Sequence, residues 1–494
     1  MTVPTFPLSK PVSRALSWAV LSLLLLALCY IFHANSPALW GVDAYFHIKY
    51  SQILRTQGLI QNFPWLAFTI YTNDFADDHF LFHLFLVPFT FGNLITGAKV
   101  YASLVTISVF LFFFWLLQRH QIRHPFLWTL GLLFSSPIFF TRLSMARPSG
   151  LSLLFLLIGT ALILEHKDRW LAPLAFLYVW LYGGFPLLLI LVCIACGVSW
   201  AFTRKIRSGL FIACGLGTLA GLVLHPYFPN NIQFLYTSYT QIELGTFADP
   251  VLAGSEDYPY AASTAVRHTL LVWIILFLTL LVYLLQPKTL TPQSLLLFLF
   301  SIVLLCLYLK VRRFIEYWPP FALLFTAWAL NPVARSLDLR KQKYGAIVFS
   351  LVLSVAAYHT YTRLFIDNTI SNRPQAYRAA AQFLKENTAK NDIVFTADWD
   401  DFPHLFHYND HNRYIVGLGL HYLYLYDPNL YAIWLHLSRG LHPTPALTIL
   451  DTFGAHYVFS LKADTDFLEA FQKSEHIEMI YDDPKAQTYR IHPP

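Results

Sequence analysis

Apolar residues dominate this chain in unbroken runs of roughly 16 to 20 positions, the length an α-helix needs to cross the hydrocarbon core of a bilayer. Eleven such runs are read, near 15–33, 98–117, 125–141, 149–165, 170–183, 184–203, 209–225, 268–286, 293–309, 316–331 and 343–360. The pattern predicts a polytopic α-helical membrane protein with about 11 transmembrane helices; runs of that length exclude sheet. The first run, behind Lys10 and Arg14, has the outline of a signal peptide. No small-x-small cleavage site follows it and it is long enough to span, so it is read as the first helix.

Basic residues between the runs set the orientation. With the N-terminus cytoplasmic, the inner loops hold Arg119 and Arg123, then Lys167 and Arg169, then Arg204, Lys205 and Arg207, then Lys288, and finally Arg335, Arg340, Lys341 and Lys343. That is a consistent positive-inside pattern. It places residues 34–97, 226–267 and everything after about 361 outside. In the first outer segment, 44–59 is amphipathic, with Tyr45, Ile48, Ile53 and Leu54 expected along the membrane interface and Lys49 and Arg55 toward water. The apolar stretch 80–91 is short and contains Pro88, which predicts a re-entrant or interfacial helix.

The tail changes character near Arg373. A helical pattern over 378–387 and buried strand signals at Ile393–Thr396 and 457–460 predict a small C-terminal α/β extracytoplasmic domain over 373–494, following a membrane domain over 1–372.

Composition agrees with a membrane protein: 56% of residues are hydrophobic and 13% charged, where soluble domains carry about a quarter charged. The net charge of +6 sits beside the apolar runs, so it speaks for orientation and against nucleic-acid binding. All five cysteines, Cys29, Cys193, Cys196, Cys214 and Cys306, fall inside predicted spans, which argues against a disulfide framework or a soluble zinc site.

Acids and arginines at the outer face are costly unless paired or used, and they form the candidate set. Asp43 opens the amphipathic stretch, either as a helix N-cap or as a catalytic acid or metal ligand. Asp77, Asp78 and His79 precede the short apolar helix, as a cap and dipole partner or as a metal site or general base. Arg312 and Arg313 end a span ahead of Glu316. They are read as a fork for phosphate oxygens, or as one arginine paired with Glu316 and one snorkelling. Arg142 and Arg147 flank a helix start on the same face, one of them structural. Glu243, with Asp249 nearby, lies in the second outer loop and is either solvated or functional. In the tail, Asp398, Trp399, Asp400 and Asp401 follow a buried strand directly, the place where α/β domains put ligands, though an Asp-rich turn would look the same. His404, His407, His411 and His421 fit no tight zinc spacing.

Taken together, the residues resemble the GT-C superfamily of membrane glycosyltransferases, and most closely the catalytic subunit of single-subunit oligosaccharyltransferases. Val42-Asp43-Ala44-Tyr45 looks like the family's first acidic motif. Phe139-Phe140-Thr141-Arg142 resembles the end of its third helix, and Tyr178 to Phe185 its aromatic turn. Arg313-Phe314-Ile315-Glu316-Tyr317 looks like its donor-phosphate segment, favouring Arg313 over Arg312. Trp399-Asp400, ahead of His407-Tyr408-Asn409-Asp410, resembles its acceptor-reading Trp-Trp-Asp motif. Two departures stand out. The second acidic motif, Asp-x-Asp, is absent after Arg142, where the chain reads Leu143-Ser144-Met145-Ala146-Arg147. Ala397 and Asp398, not tryptophan, precede Trp399.

The resemblance implies a glycosyltransferase moving a sugar from a polyprenyl-phosphate or diphosphate donor to a glycan, lipid or protein acceptor at the outer face. Its implied parts are Asp43 with Asp77, Asp78 and Arg142 as catalytic groups, Arg313, Arg312 and Arg147 on the donor phosphate, and Trp399, Asp400 and Glu243 on the acceptor. A divalent metal, Mg or Mn, would bind at Asp43. Asp77 or Asp78 with Glu243 would complete its shell, or Arg147 would replace it. An oligosaccharyltransferase acting on asparagine and a non-catalytic transporter or scaffold for lipid-linked glycans are the alternatives. A multi-pass location in a bacterial inner membrane, with the N-terminus cytoplasmic and the tail extracytoplasmic, completes the expectation.

Overall fold

The computed structural model describes residues 10–243, 254–285, 291–336, 339–362 and 373–494. The chain divides into two compact units. One comprises Met1–Pro37, Lys99–Gly221 and Pro259–Asn368; the other comprises Ala38–Ala98, Leu222–Tyr258 and Thr369–Pro494.

The first unit is helical, and each of the eleven predicted runs contains helix. Arg14–Ala34, Leu94–Arg119, Pro186–Thr203 and Pro292–Lys310 are each long and apolar enough to cross a membrane; counting two bent pairs as one span each raises the number to six among the described residues. The protein is a multi-pass membrane protein.

The run predicted as one span over 125–141 is instead two helices, Pro125–Leu133 and Pro137–Leu143, bent by 86°. The cause is local. Pro137 disfavours helix at the residue before it, and Ser136 is extended (φ −162°, ψ 128°), its hydroxyl accepting from the Phe139 N–H at 3.3 Å. The run at 170–183 yields only Leu171–Leu181, 11 residues.

The second unit gathers three separate stretches of chain around a five-stranded sheet: β1 Ile393–Thr396, β2 Arg413–Tyr414, β3 Tyr457–Leu461, β4 Ile477–Asp482 and β5 Ala486–Ile491, in the order β2-β1-β3-β5-β4. The β2, β1 and β3 neighbours are parallel, and the β3-β5-β4 ladder is antiparallel. Phe395, Val458, Phe467, Phe471 and Tyr489 lie in its apolar core. The segment 34–97 joins the sheet edge. The Tyr414 N–H donates to the Trp65 carbonyl and the Ala67 N–H to the Tyr414 carbonyl, both at 2.8 Å.

The amphipathic stretch forms helix Asp43–Gln57, but its apolar side is not spread on an interface. Tyr45, Ile48, Ile53 and Leu54 are 1%, 0%, 2% and 8% exposed, and the helix packs on Asp401–Tyr408 and Phe80–Leu86 of the same unit. Lys49, expected toward water, pairs with Asp410 at 2.9 Å. The helix buries its apolar side against protein, which periodicity alone cannot distinguish from burial against lipid. The stretch 80–91 is helix Phe80–Leu86 continued by a 3₁₀ turn Val87–Thr90, too short to span. It is followed closely by Gly97, where a Cβ would fall 1.8 Å from the Phe89 carbonyl oxygen.

The tail histidines are packing residues. His404 stacks on Tyr377 at 4.5 Å, and His411 Nε2 lies 3.0 Å from the Thr388 carbonyl. His407 Nδ1 donates to the Tyr45 carbonyl at 3.3 Å. Burial, with Lys49 adding, holds the His407 pKa down to about 4 against the pull of that carbonyl. Its stabilising contribution is therefore whole above 6.5 and is lost as the pH falls from 6.5 toward 4. His407→Asn should flatten the loss of melting temperature over that interval, removing about 3 kcal/mol of its pH dependence; an unchanged pH profile would deny the histidine this role.

Candidate active site

In the sheet-containing unit, the acids of the segment 34–97 meet a group of histidines. Helix Asp43–Gln57 begins at Asp43, and Val42 occupies the N-cap position with no side-chain cap bond, so the capping reading of Asp43 does not hold. Its carboxylate lies in the first turn, where the helix dipole favours negative charge. Asp43 and His47 are four residues apart, hence one above the other on one helix face. The pair His79 and His83 repeats that spacing on the second helix, with His79 at the N-cap of Phe80–Leu86.

Asp77 is 3% exposed. Its Oδ1 accepts from the His79 N–H at 3.0 Å, and both its oxygens face His83 Nδ1, at 2.9 and 2.8 Å. Asp78 Oδ1 faces His79 Nδ1 at 2.7 Å. Burial alone would lower the His79 imidazole, but Asp78, with Asp77 and Asp43 behind it, outweighs burial and holds its pKa above the ordinary value. Asp77, Asp78 and His79 each bring one ligand atom to within 4.8 Å of the others, a spacing that a single divalent ion can draw together. Tyr50, whose hydroxyl lies 3.2 Å from that of Tyr227, walls the group at 4.7 Å from the His83 ring.

Sequence reasoning missed His47 and His83. The signal was present as two i, i+4 pairs, Asp43/His47 and His79/His83, but which helices face each other is not written in either pair.

The acceptor candidates lie in the same unit. Trp399 packs against the apolar core of the sheet, while Asp400 donates its N–H to Asp398 Oδ1 at 3.0 Å, so the acidic loop is built as a turn on Asp398. Asp401 is buried and accepts from the Tyr377 hydroxyl at 2.6 Å. Glu243 ends the π-helical turn Ser238–Glu243; its side chain, and the whole of Asp249, lie outside the described residues.

The candidate arginines are in the helical unit. The alternative reading of the two arginines paired one of them with Glu316; Glu316 pairs with Arg142, whose Nε lies 2.5 Å from its Oε1, both residues being buried. Nearby, Ser152 accepts from the Tyr317 hydroxyl at 2.9 Å and lies 2.5 Å from that of Tyr178. Arg312 is committed elsewhere: its guanidinium sits 4.8 Å over the Tyr260 ring and donates to the Pro259 carbonyl at 3.3 Å. Arg313 follows it in the half-buried 3₁₀ turn Arg312–Glu316, and Arg147 stands at the N-cap of helix Pro148–Leu164.

Two solved structures of ArnT from Cupriavidus metallidurans share this architecture. The one bound to undecaprenyl phosphate superposes with a TM-score of 0.60 at 13% identity, over 96% of this chain and 97% of that one. The apo structure gives 0.59 at 14%, over 96% and 98%. No family model and no curated protein sequence matches the chain. The likeness is one of fold: the chain has the fold of these ArnT structures along nearly its whole length.

The Arg142–Glu316 pair makes a stability prediction. Glu316→Ala strands a buried guanidinium and should cost about 3–5 kcal/mol, whereas the double replacement Arg142→Met with Glu316→Leu should recover most of that loss. Thermal unfolding of the purified protein checks it; equal losses in the single and double variants would contradict a mutually compensating pair.

Proposed function

We propose that this protein is a glycosyltransferase that takes a sugar from a polyprenyl-phosphate carrier and passes it to an acceptor at the outer face of the membrane. The observation that carries the reading is the likeness of fold, along nearly the whole chain, to a glycosyltransferase bound to undecaprenyl phosphate. The clustering of Asp43 with Asp77, Asp78 and His79 supports it, because sugar transfer needs a group to take the acceptor's proton.

In the reaction, a lone pair of the acceptor hydroxyl forms a bond to the anomeric carbon. The bond from that carbon to the phosphate oxygen breaks, its electron pair leaves on the polyprenyl phosphate, and the hydroxyl proton passes to Asp43. Positive groups must answer the charge that develops on the phosphate. Arg313 is assigned that part ahead of Arg312, whose donors and ring face are taken by Pro259 and Tyr260. A divalent ion, Mg or Mn, would be held by Asp77, Asp78 and His79 beside Asp43 and would supply Lewis-acid charge neutralisation. The acceptor hydroxyl's proton transfer is assigned to the chain alone. Trp399, Asp400 and Glu243 remain assigned to the acceptor, and the sheet-containing unit to the outer side of a bacterial inner membrane.

Two measurements test this. Asp43→Asn should lower sugar transfer from the labelled polyprenyl pool of isolated membranes by about 10²–10⁴-fold; a wild-type rate would overturn the role of Asp43. Transfer that survives a strong chelator would remove the ion and leave the rest standing. Separately, Arg313→Ala should weaken undecaprenyl phosphate binding to the purified protein by about 10–100-fold, as expected for losing a charged hydrogen bond. Arg312→Ala should leave that affinity within about threefold, since its guanidinium is engaged with Tyr260 and Pro259; the reverse order would exchange their assignments.

A further inference from the structure

The basic residues that follow helices Pro148–Leu164 and Pro186–Thr203 have no part in the reaction as written above. The two turns that carry them are tied into one surface. Arg207 donates from Nη1 to the Ile163 carbonyl at 3.2 Å and pairs through Nη2 with Asp168. The Lys205 carbonyl accepts from the hydroxyls of Ser199 at 3.0 Å and Thr203 at 3.2 Å, which folds its turn back on the helix before it. The next helix, Ser208–Val223, lies close against Leu171–Leu181: a Cβ on Gly217 would fall 2.1 Å from the Ala172 carbonyl oxygen.

Charge on this surface does not balance. Its acids are taken: Glu165 pairs with Arg119 at 2.7 Å and with Lys167 at 2.6 Å, and Asp168 pairs with Arg207. Arg169, Arg204 and Lys205 are exposed, and none of them pairs with an acid among the described residues. The two arginines lie over tryptophan rings, Arg169 at 6.0 Å from the centre of Trp170 and Arg204 at 5.3 Å from that of Trp200. Those rings are 54% and 51% exposed, and Ile206 in the second turn is 65% exposed. Arg204 also stands in the left-handed region, at φ 57°, as the C-cap of Pro186–Thr203. Glycine is the ordinary residue there, and an arginine bears a strain that glycine would not.

We propose that this surface binds the headgroup of an anionic phospholipid, with Arg169, Arg204 and Lys205 meeting the phosphate and Trp170, Trp200 and Ile206 seated in the lipid beneath it. Three cations without acids set the sign of the ligand. The exposed apolar rings set its source, because a soluble phosphate has nothing to place against them, whereas the headgroup layer is where tryptophan and the charged ends of long basic side chains both come to rest. Helix Pro186–Thr203, which carries Trp200, is long and apolar enough to cross the membrane, so the end it shares with Arg204 falls at headgroup depth. Lipid binding here needs no sugar transfer and stands whatever the catalytic groups do.

Melting of the purified full-length protein in a neutral detergent, titrated with phosphatidylglycerol or with phosphatidylcholine, tests the site. Phosphatidylglycerol should raise the melting temperature at the lower concentration. A basic residue near an anionic surface strengthens binding about fivefold, so the triple variant Arg169→Gln, Arg204→Gly, Lys205→Gln should need about 100-fold more phosphatidylglycerol for half the effect. A second triple, Lys390→Gln, Lys473→Gln, Arg490→Gln, removes the same charge from exposed positions of the sheet-containing unit and should keep the parent's preference. Arg204→Gly alone should melt no lower than the parent in phosphatidylcholine, because glycine relaxes the turn, and should still lose about fivefold toward phosphatidylglycerol. Misfolding cannot produce that pair of results. Equal losses in the two triples, or an unchanged half-point in the first, overturn the site. A rise in melting temperature with inorganic phosphate equal to that with phosphatidylglycerol assigns the surface to soluble phosphate and overturns the lipid.

Discussion

A charge taken out of water must find its answer within a few ångströms, and this constraint shapes both units of the protein. Arg142 and Glu316 meet it by pairing inside the helical unit. Lys99 meets it with backbone oxygens, donating to the carbonyls of His33 and Ser36 at 3.1 and 2.5 Å. Asp77 meets it with imidazole and a backbone N–H. Each answer also fixes a geometry, because a buried polar group that loses its partner costs more than the partner contributes when both are present. The chemistry this protein can perform is therefore confined to groups that the constraint holds still.

The candidates divide by charge. The carboxylates and imidazoles argued for the acceptor belong to the unit built on the sheet, and the arginines argued for the phosphate belong to the helical unit. The separation has a physical sense. Guanidinium groups keep their charge under burial, and long flexible stems let them reach polar surroundings from apolar helices. Carboxylates and imidazoles buried side by side need hydrogen-bonded walls of known direction, which the helices Asp43–Gln57 and Phe80–Leu86 provide.

Much of this was legible in the chain and some was not. Apolar run length located the helices, and the strands at Ile393–Thr396 and Tyr457–Leu461 announced themselves as buried β-branched and aromatic runs. Run length could not place the break at Ser136, although Ser-Ser-Pro spells it out once the extended residue before proline is considered. The stretch 44–59 showed which side is apolar but not what covers it. Glu316 lay three residues from Arg313 in sequence, yet its partner is Arg142, 174 residues away. Local spacing is informative about faces, whereas ion pairs and hydrogen-bonded lines are made between faces that only the tertiary fold brings together.

The strand-like contact between Trp65 to Ala67 and Tyr414 joins the sheet to a segment made long before it. Trp65 also donates its indole N–H to the Asp410 carbonyl, across 345 residues of chain. At ribosomal rates of about 5–20 residues per second, the segment around Trp65 waits about 20 to 70 s for that partner. Throughout the wait Tyr45, Ile48 and Phe63 have no domain to cover them. The order of synthesis therefore runs against the order of completion: the stretch bearing Asp43 is made early and is covered late. A chain interrupted before the tail would carry every residue of the acid cluster and still leave its helix uncovered.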